Sequence, residues 1–299
     1  MPREEAARAI AQWRALVSQP YKTIPQAREI VEEFYAQFHV PADVSVEHVS
    51  IAKASADWLT TPGANADRAV LFLHGGAYVL GSALAYREMT SRIARAAAAR
   101  TLVLDYRLAP EHPFPAAVED AVAAYNFILA QKIKPSNIAI VGDSAGGGLT
   151  LATLLSLRDT GVPLPACAVC ISPWIDLECT GGTMETKAAV DPICTRESLL
   201  GEAALYLAGG NPRNPLASPL YADLKDLPPL LIQVGTEETL LDDAIRLDAH
   251  AKSASVTVTL EVFEDMPHVW HVFASYLPEA QQAMDQIGQF VRAYTDKSS

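Results

Sequence analysis

Residues 138–148, which read IAIVGDSAGGG, decide how this chain folds. The β-branched apolar run Ile138–Val141 is typical of a strand that is buried on both faces. The strand runs directly into GDSAG at 142–146, and an alanine- and leucine-rich helical stretch follows without a break. A serine between a strand and a helix, with glycines two residues to either side, fits the sharp turn that exposes a nucleophilic hydroxyl. Ser144 is therefore the candidate nucleophile.

Outward from this turn, short apolar strands alternate with helical stretches from about residue 69. Strands are predicted at Ala69–Leu73, Thr101–Asp105, Ile138–Val141, Ala166–Ile171, Leu230–Val234 and Val256–Phe263, and helices over about 83–97, 116–131 and 145–158. Residues 46–60 alternate apolar and polar side chains, which predicts an antiparallel hairpin at the sheet edge. The fold class is therefore α/β, with a mostly parallel sheet covered by helices on both faces.

Two segments break this alternation. Residues 1–45 contain two amphipathic helical stretches without a strand, and residues 176–220 contain a helix near 195–207 among turn-rich sequence. Ligands in α/β folds bind beyond the carboxyl ends of the strands, and the second segment emerges at that end. We predict that both segments cap a catalytic domain spanning 46–299. The alternative is that the N-terminal helices pack on the outside of the domain.

A second glycine-containing motif, HGGAY at 74–78, follows the strand Ala69–Leu73. Backbone N–H groups can approach a carbonyl oxygen closely where glycine removes the side chain. We predict that the N–H groups of Gly75 and Gly76, together with that of Ala145, form an oxyanion hole.

The general base must come from a histidine that follows the nucleophile in the chain. His268 lies in a loop, EDMPHVW, directly after the final predicted strand, where it can reach across the sheet to Ser144. His271 begins the next helical stretch and is the lesser candidate, and His250 lies within a helix of surface-type residues.

The acid that orients this base is expected in GTEETLLDD at 235–243, after the strand Leu230–Val234. Glu238 lies in the loop, whereas Asp242 and Asp243 fall in the first helical turn. Carboxylates in a first turn are already explained by the helix dipole. This favours Glu238, with Asp242 as its main rival.

Composition excludes several classes of function. The net charge of −12 repels phosphate backbones, and no apolar run is long enough to cross a membrane. The N-terminus lacks the pattern of a signal peptide, so we expect a cytoplasmic protein with free thiols. Cys167 and Cys170 form a C-x-x-C pair, but on a strand they point to opposite faces and cannot share a metal. No metal site is predicted.

Together these residues resemble the hormone-sensitive-lipase-like family of microbial carboxylesterases, from about residue 45 onward. The motifs that carry the resemblance are HGGAY (74–78), DYRLAPEHPFPAA (105–117), GDSAGG (142–147), SPLYADL (218–224), GTEETLLDD (235–243) and the His268 loop. Within the second motif, Asp105, Arg107 and Glu111 look like scaffold residues. The resemblance implies an α/β-hydrolase fold with an eight-stranded sheet, a helical cap that includes the N-terminal helices, and no cofactor.

The resemblance also implies an activity, namely hydrolysis of carboxylic esters with short or medium acyl chains, and a homodimer through the last strand in some relatives. Glu238 stands where the family usually has aspartate, and Thr239 replaces a proline. Ala77 and Val269 stand where many relatives have glycine. Candidates for the substrate pocket are Phe34, Trp174, Met184 and Leu199.

Neither the fold nor the triad determines which leaving group the enzyme expels. One alternative is an amidase or deacetylase that acts on a specific metabolite. A second is a non-catalytic small-molecule receptor, which is disfavoured because His268 is present. A true lipase is also disfavoured, because it would need an exposed apolar lid and both cap segments carry many charges.

Overall fold

The computed structural model describes residues 4–295, and within them eight strands form one sheet. The strands are β1 Ser45–Ile51, β2 Ala54–Thr60, β3 Asn65–Leu73, β4 Ala99–Asp105, β5 Ile138–Asp143, β6 Cys167–Ile171, β7 Leu230–Gly235 and β8 Val258–Phe263. Their spatial order is β1-β2-β4-β3-β5-β6-β7-β8. The pairs β1–β2 and β2–β4 are antiparallel and the remaining pairs are parallel. The predicted mostly parallel sheet with an antiparallel edge hairpin is therefore confirmed.

Helices cover both faces of this sheet. The helices of the described residues are α1 Glu4–Val17, α2 Ile24–Tyr35, α3 Arg87–Ala97, α4 Ala116–Ala130, α5 Ala145–Asp159, α6 Thr183–Thr186, α7 Arg196–Leu207, α8 Leu241–Ser253 and α9 Pro278–Thr295. Side chains of β3 alternate between two separate cores, as the two-residue period of a strand requires. Leu71 and Leu73 pack with α4, α5 and α8, whereas Val70 and Phe72 pack with α3 and α9.

Helix α3 begins at Arg87, four residues later than the predicted start at about residue 83. The preceding residues form a turn held by side chains. The Asp105 carboxylate accepts the Ala83 N–H at 3.2 Å, and the Ser82 hydroxyl accepts the Ala85 N–H at 3.1 Å. These side-chain acceptors satisfy N–H groups that a longer helix would leave unpaired.

The two sulfurs of the C-x-x-C pair lie on opposite faces of β6, as predicted. Cys167 packs in the core that contains α3 and α9, and Cys170 packs in the core that contains α4 and α5. Burial raises the pKa of each thiol to about 12, so both are neutral at ordinary pH.

The N-terminal helices are held against the carboxyl-end loops of the sheet. In α2, Arg28 donates to both carboxylate oxygens of Glu111, at 2.9 and 2.7 Å, and to the carbonyl of Val79. In α1, the indole N–H of Trp13 donates to the carbonyl of His268 at 2.9 Å. Both helices therefore lie at the carboxyl ends of the strands and not on the outer surface. None of the helices in residues 4–295 is long and apolar enough to cross a membrane.

Replacing Gly288 with alanine is expected to destabilise the fold by about 1–3 kcal/mol, because it overpacks the contact between α9 and α3. A Cβ at Gly288 would lie 2.4 Å from the carbonyl oxygen of Ala96. Gly201 in α7 is the matched control, since a Cβ there meets nothing within 4 Å. Gly201→Ala is expected to be neutral or to stabilise by up to about 1 kcal/mol. Equal urea midpoints for Gly288→Ala and Gly201→Ala would contradict this prediction.

Candidate active site

The turn between β5 and α5 places Ser144 above the carboxyl end of the sheet. Its φ of 53° lies in the left-handed region, and its N–H donates to the carbonyl of Ile171 at 2.8 Å. The flanking glycines are required by close backbone contacts. A Cβ at Gly142 would lie 2.2 Å from the Gly146 carbonyl oxygen, and one at Gly146 would lie 1.9 Å from that of Leu73. The strained serine is therefore held by packing that admits no larger residue on either side.

Three side chains that are distant in sequence form one hydrogen-bonded line. Ser144 Oγ lies 3.0 Å from His268 Nε2, and His268 Nδ1 lies 2.8 Å from Glu238 Oε2. The second carboxylate oxygen, Oε1, accepts from the Ser172 hydroxyl and from the Gly235 N–H, both at 2.7 Å. All three members of the line are buried. The structure thus brings together the three residues that the sequence predicts as nucleophile, base and acid.

The rival residues lie elsewhere. His271 Nε2 lies 2.8 Å from Gln233 Oε1, and burial lowers the pKa of His271 to about 3. His250 Nε2 contacts the carbonyl of Ala222 instead. The Asp242 carboxylate accepts the Thr183 N–H at 3.1 Å and makes no hydrogen bond to His268.

Burial and the neighbouring side chains have opposite effects on the pKa of His268. Burial lowers the pKa, whereas Cys194 and the Glu238 carboxylate raise it, and the net direction is well above the ordinary value. Burial raises the pKa of Cys194 to about 11, so this neighbour is a neutral thiol at ordinary pH. The Glu238 carboxylate is therefore the charge that stabilises the imidazolium.

A raised pKa of His268 predicts an alkaline-shifted activity profile. The histidine accepts a proton only in its neutral form, so hydrolysis should be lost as the pH falls through that pKa. The midpoint of kcat/KM against pH is expected above the ordinary value of about 6.5. The profile should be measured with an ester that has no ionisable group, alongside circular dichroism to show that the fold persists. A midpoint at or below the ordinary value would contradict the assigned role of Glu238.

The loop after β3 corrects one predicted oxyanion donor. The N–H of Gly75 donates to Asp143 Oδ1 at 2.9 Å, so it is not available to a substrate. Glycine is needed there because a Cβ would lie 2.4 Å from the other Asp143 oxygen. Gly76 and Ala77 line the cavity beside Ser144, and their N–H groups find no acceptor in residues 4–295.

Asp143 is a site residue whose role was not predicted. In addition to the Gly75 N–H, its carboxylate accepts the Tyr86 hydroxyl at 3.0 Å, and the Tyr35 hydroxyl of α2 donates to Tyr86 at 3.2 Å. Burial raises the pKa of Asp143 to about 7, against the opposing effects of Tyr86 and His268. This network ties the glycine loop to the nucleophile turn and to α2. The one signal in the sequence is an acidic residue directly before the nucleophile.

A cavity of about 270 Å³ opens above Ser144 and His268. Its walls come from α1, α2, the loop after β3 and α7. In the described part of the chain, no group of three or more His, Cys, Asp and Glu side chains is arranged to hold a metal ion.

Of the four predicted pocket residues, Leu199 lines this cavity and the other three do not. Phe34 faces away and stacks on Trp13 with ring centroids 5.0 Å apart. Trp174 is fully buried, with its indole N–H donating to the Asp176 carbonyl, and Met184 is buried in the same core. The α1 residues Trp13, Leu16 and Val17 supply much of the apolar lining instead.

Comparison with known proteins places the chain among hydrolases. Residues 70–272 match the family profile of the alpha/beta hydrolase fold. The chain is 48% identical over 255 residues to an acetyl-hydrolase of Streptomyces hygroscopicus, covering 85% of this chain and 84% of the relative. It is 33% identical over 264 residues to an esterase of Acinetobacter venetianus, covering 88% and 87%. The crystal structure of an esterase from the bacterial hormone-sensitive lipase family superposes with a TM-score of 0.97 at 51% identity, covering 99% of both chains.

Proposed function

Because the chain belongs to the hormone-sensitive-lipase-like family of carboxylesterases, with an α/β-hydrolase fold, we propose that it cleaves esters through an acyl-enzyme on Ser144. The observation that carries this mechanism is the unbroken hydrogen-bonded line from Ser144 through His268 to Glu238. A non-catalytic receptor with the same fold would not require this hydrogen-bonded line.

In the first half of the reaction, Ser144 Oγ attacks the ester carbonyl while His268 Nε2 takes its proton. Glu238 holds the ring at Nδ1 and stabilises the positive charge that forms on it. His268 then gives the proton to the departing alcohol. In the second half, water loses a proton to the same nitrogen and attacks the acyl carbon. The bond from that carbon to Ser144 Oγ then breaks, His268 returns the proton to Oγ, and the acid leaves.

The negative charge on the carbonyl oxygen requires backbone donors. Gly76 and Ala77 border the cavity with unengaged N–H groups, and Ala145 is the first residue of α5. The N-terminus of α5 adds a favourable dipole. We assign the oxyanion hole to Gly76, Ala77 and Ala145, where each donor contributes about 3 kcal/mol to the barrier reduction.

The preferred acyl group follows from the enclosure of the site. Helices α1, α2 and α7 cap the serine and leave a cavity of about 270 Å³, which suits short and medium chains better than long ones. The relative named an acetyl-hydrolase supports a short acyl group. In this proposal the two helical segments act as a cap, because they limit the size of the acyl group that reaches Ser144.

The proposal is tested with p-nitrophenyl esters of increasing chain length and with the matching anilides. We expect kcat/KM to be highest for short or medium acyl chains, to fall for long chains, and to be far lower for every anilide. Acid quenching during turnover of the acetyl ester should leave one acetyl group on the peptide that contains Ser144. Anilides cleaved as fast as esters would favour the amidase alternative, and acyl transfer to another residue would overturn the mechanism.

The last strand also suggests how two copies associate. Within residues 4–295, strand β8 pairs with β7 alone, so its other edge is open there, and Val262 is 48% exposed. We propose a homodimer through β8 and expect Val262→Lys to shift the sedimentation of the protein from dimer to monomer. Val46→Lys, on the opposite edge strand β1, is the matched control and should leave the dimer intact. A wild-type monomer at micromolar concentration would contradict this proposal.

A further inference from the structure

One wall of the substrate cavity carries a carboxylate without a partner. Glu202 lies on α7, is half-buried, and lines the same cavity as Ser144. No hydrogen-bond donor or cation in residues 4–295 pairs with its side chain. Burial raises the pKa of Glu202 to about 7, because nothing in the cavity offsets the desolvation of the charged form. A cationic group bound in the cavity would supply the partner that this half-buried carboxylate lacks.

Two other ionisable groups that line the cavity, Asp143 and His268, already have partners. Asp143 accepts from Gly75 and Tyr86, and His268 lies between Ser144 and Glu238. Among the described residues, no lysine or arginine lines the cavity. The cavity therefore has negative charge that no protein group neutralises, within a chain whose net charge is −12.

The same cavity presents aromatic rings. Trp13, Tyr21, Tyr35 and Tyr86 all contribute to its lining. Tyr35 and Tyr86 stack on each other and Trp13 stacks on Phe34, so these rings offer mainly apolar surface to a bound group. Apolar surface together with one unpaired carboxylate suits both the methyl groups and the charge of an ammonium group.

The position of Glu202 on α7 limits how the ammonium group is attached. Cys194 lines the cavity just before α7 begins at Arg196. Ser198 and Glu202 follow along the wall, about 6 Å apart as expected for one helical turn. Because Ser144 and Glu202 line one cavity of about 270 Å³, a single ester can contact both.

We propose that Glu202 is a specificity-determining residue that binds a cationic ammonium group carried by the ester substrate. The inference rests on the proposed function, because it names the class of ester that the Ser144 site prefers. Cationic esters gain an ion pair with Glu202, and anionic esters meet repulsion. The charged group belongs to either the alcohol or the acyl part of the substrate, and these two cases are separated by experiment.

Two pairs of substrates isolate the charge. The first pair is choline acetate and its uncharged isostere, in which a tert-butyl group replaces the trimethylammonium group. The second pair places the same two groups at the end of the acyl chain of a p-nitrophenyl butanoate. Assays run at about pH 8.5, where a carboxyl with a pKa of about 7 is ionised. The variants are Glu202→Gln and the matched control Glu197→Gln, which removes an exposed charge from the same helix.

The readout is the ratio of kcat/KM for the cationic ester to that for its neutral isostere. We expect Glu202→Gln to lower this ratio at least about tenfold in one of the two pairs, which identifies the part of the ester that carries the charge. Glu197→Gln should leave both ratios unchanged. Hydrolysis of an anionic ester, the acetate of hydroxypropanoate, should rise in Glu202→Gln, and a purely steric effect would not produce these opposite changes.

The two proposals fail in different ways. If wild-type protein hydrolyses the neutral esters but Glu202→Gln leaves both ratios unchanged, the role of Glu202 is overturned and the proposed function stands. If wild-type protein hydrolyses none of the esters, the proposed function is overturned, and the substrate class with it. An equal fall of the ratio in Glu197→Gln would reduce the effect to general electrostatics and also overturn the role of Glu202.

Discussion

Replacing Ser144 with alanine is expected to lower kcat for short-chain esters by about 10⁴- to 10⁶-fold, the largest effect of any single substitution in this chain. In the proposed mechanism the hydroxyl forms the covalent bond to the acyl carbon, and among residues 4–295 no other hydroxyl is hydrogen-bonded to His268 Nε2. Residual hydrolysis would come from the oxyanion donors and from substrate binding, which the variant retains.

The fold should survive this change, since the contacts that hold the turn are made by backbone atoms and glycines. The Ser144 N–H still donates to Ile171, and the contacts of Gly142 and Gly146 remain. Urea unfolding should therefore match that of wild type, and calorimetry should still detect binding of a non-hydrolysed ester. Ser253→Ala, in an exposed position at the end of α8, is the control and should keep full activity. Turnover in Ser144→Ala within tenfold of wild type would exclude Ser144 as the nucleophile.

Replacing Glu238 with glutamine is expected to lower kcat/KM by about 10³- to 10⁴-fold. The amide keeps the size of the side chain but cannot stabilise the imidazolium, and its NH₂ group can favour the wrong tautomer of His268. Asp242→Asn is the matched control, because Asp242 contacts Thr183 and lies outside the line. Glu238→Asp keeps the charge and shortens the arm, so its activity should fall between those of wild type and Glu238→Gln.

The pH profile separates loss of charge from loss of structure. Removing the carboxylate leaves burial as the main influence on His268, and burial lowers its pKa. The acid limb of kcat/KM in Glu238→Gln should therefore move to lower pH, while Asp242→Asn keeps the wild-type profile. If Asp242→Asn is the more damaged variant, the acid of the triad has been misassigned.

Local patterns predict the scaffold and the three residues that the structure joins in one hydrogen-bonded line. The pattern of apolar residues over short stretches predicts the alternating strands and helices. The glycines on either side of Ser144 indicate the turn. Local patterns distinguish Glu238 less sharply, since four carboxylates lie within its segment and the sequence does not show their partners. The structure separates them by contact: Glu238 reaches His268, whereas Asp242 and Asp243 bind backbone N–H groups of the segment after β6.

The errors occur where contacts between distant segments decide the outcome. The paired glycines at 75 and 76 look equivalent in the sequence, but Asp143 engages the first through its N–H. Phe34, Trp174 and Met184 are large and apolar, which fits a pocket and a core equally well. Only the docking of α1 and α2 decides which apolar side chains reach the cavity, and no local pattern encodes that docking.

The hydrogen bond from Trp13 to the carbonyl of His268 couples the position of α1, which limits access to the site, to the orientation of the His268 side chain. Trp13 both lines the cavity and holds the backbone that carries the imidazole. A displacement of α1 that admits a bulkier ester would also break this hydrogen bond. The His268 loop could then move away from Ser144. Enlarging the cavity by loosening α1 should therefore cost turnover, whereas trimming side chains of α7 would widen it without disturbing the loop. Engineering for larger substrates should begin on α7.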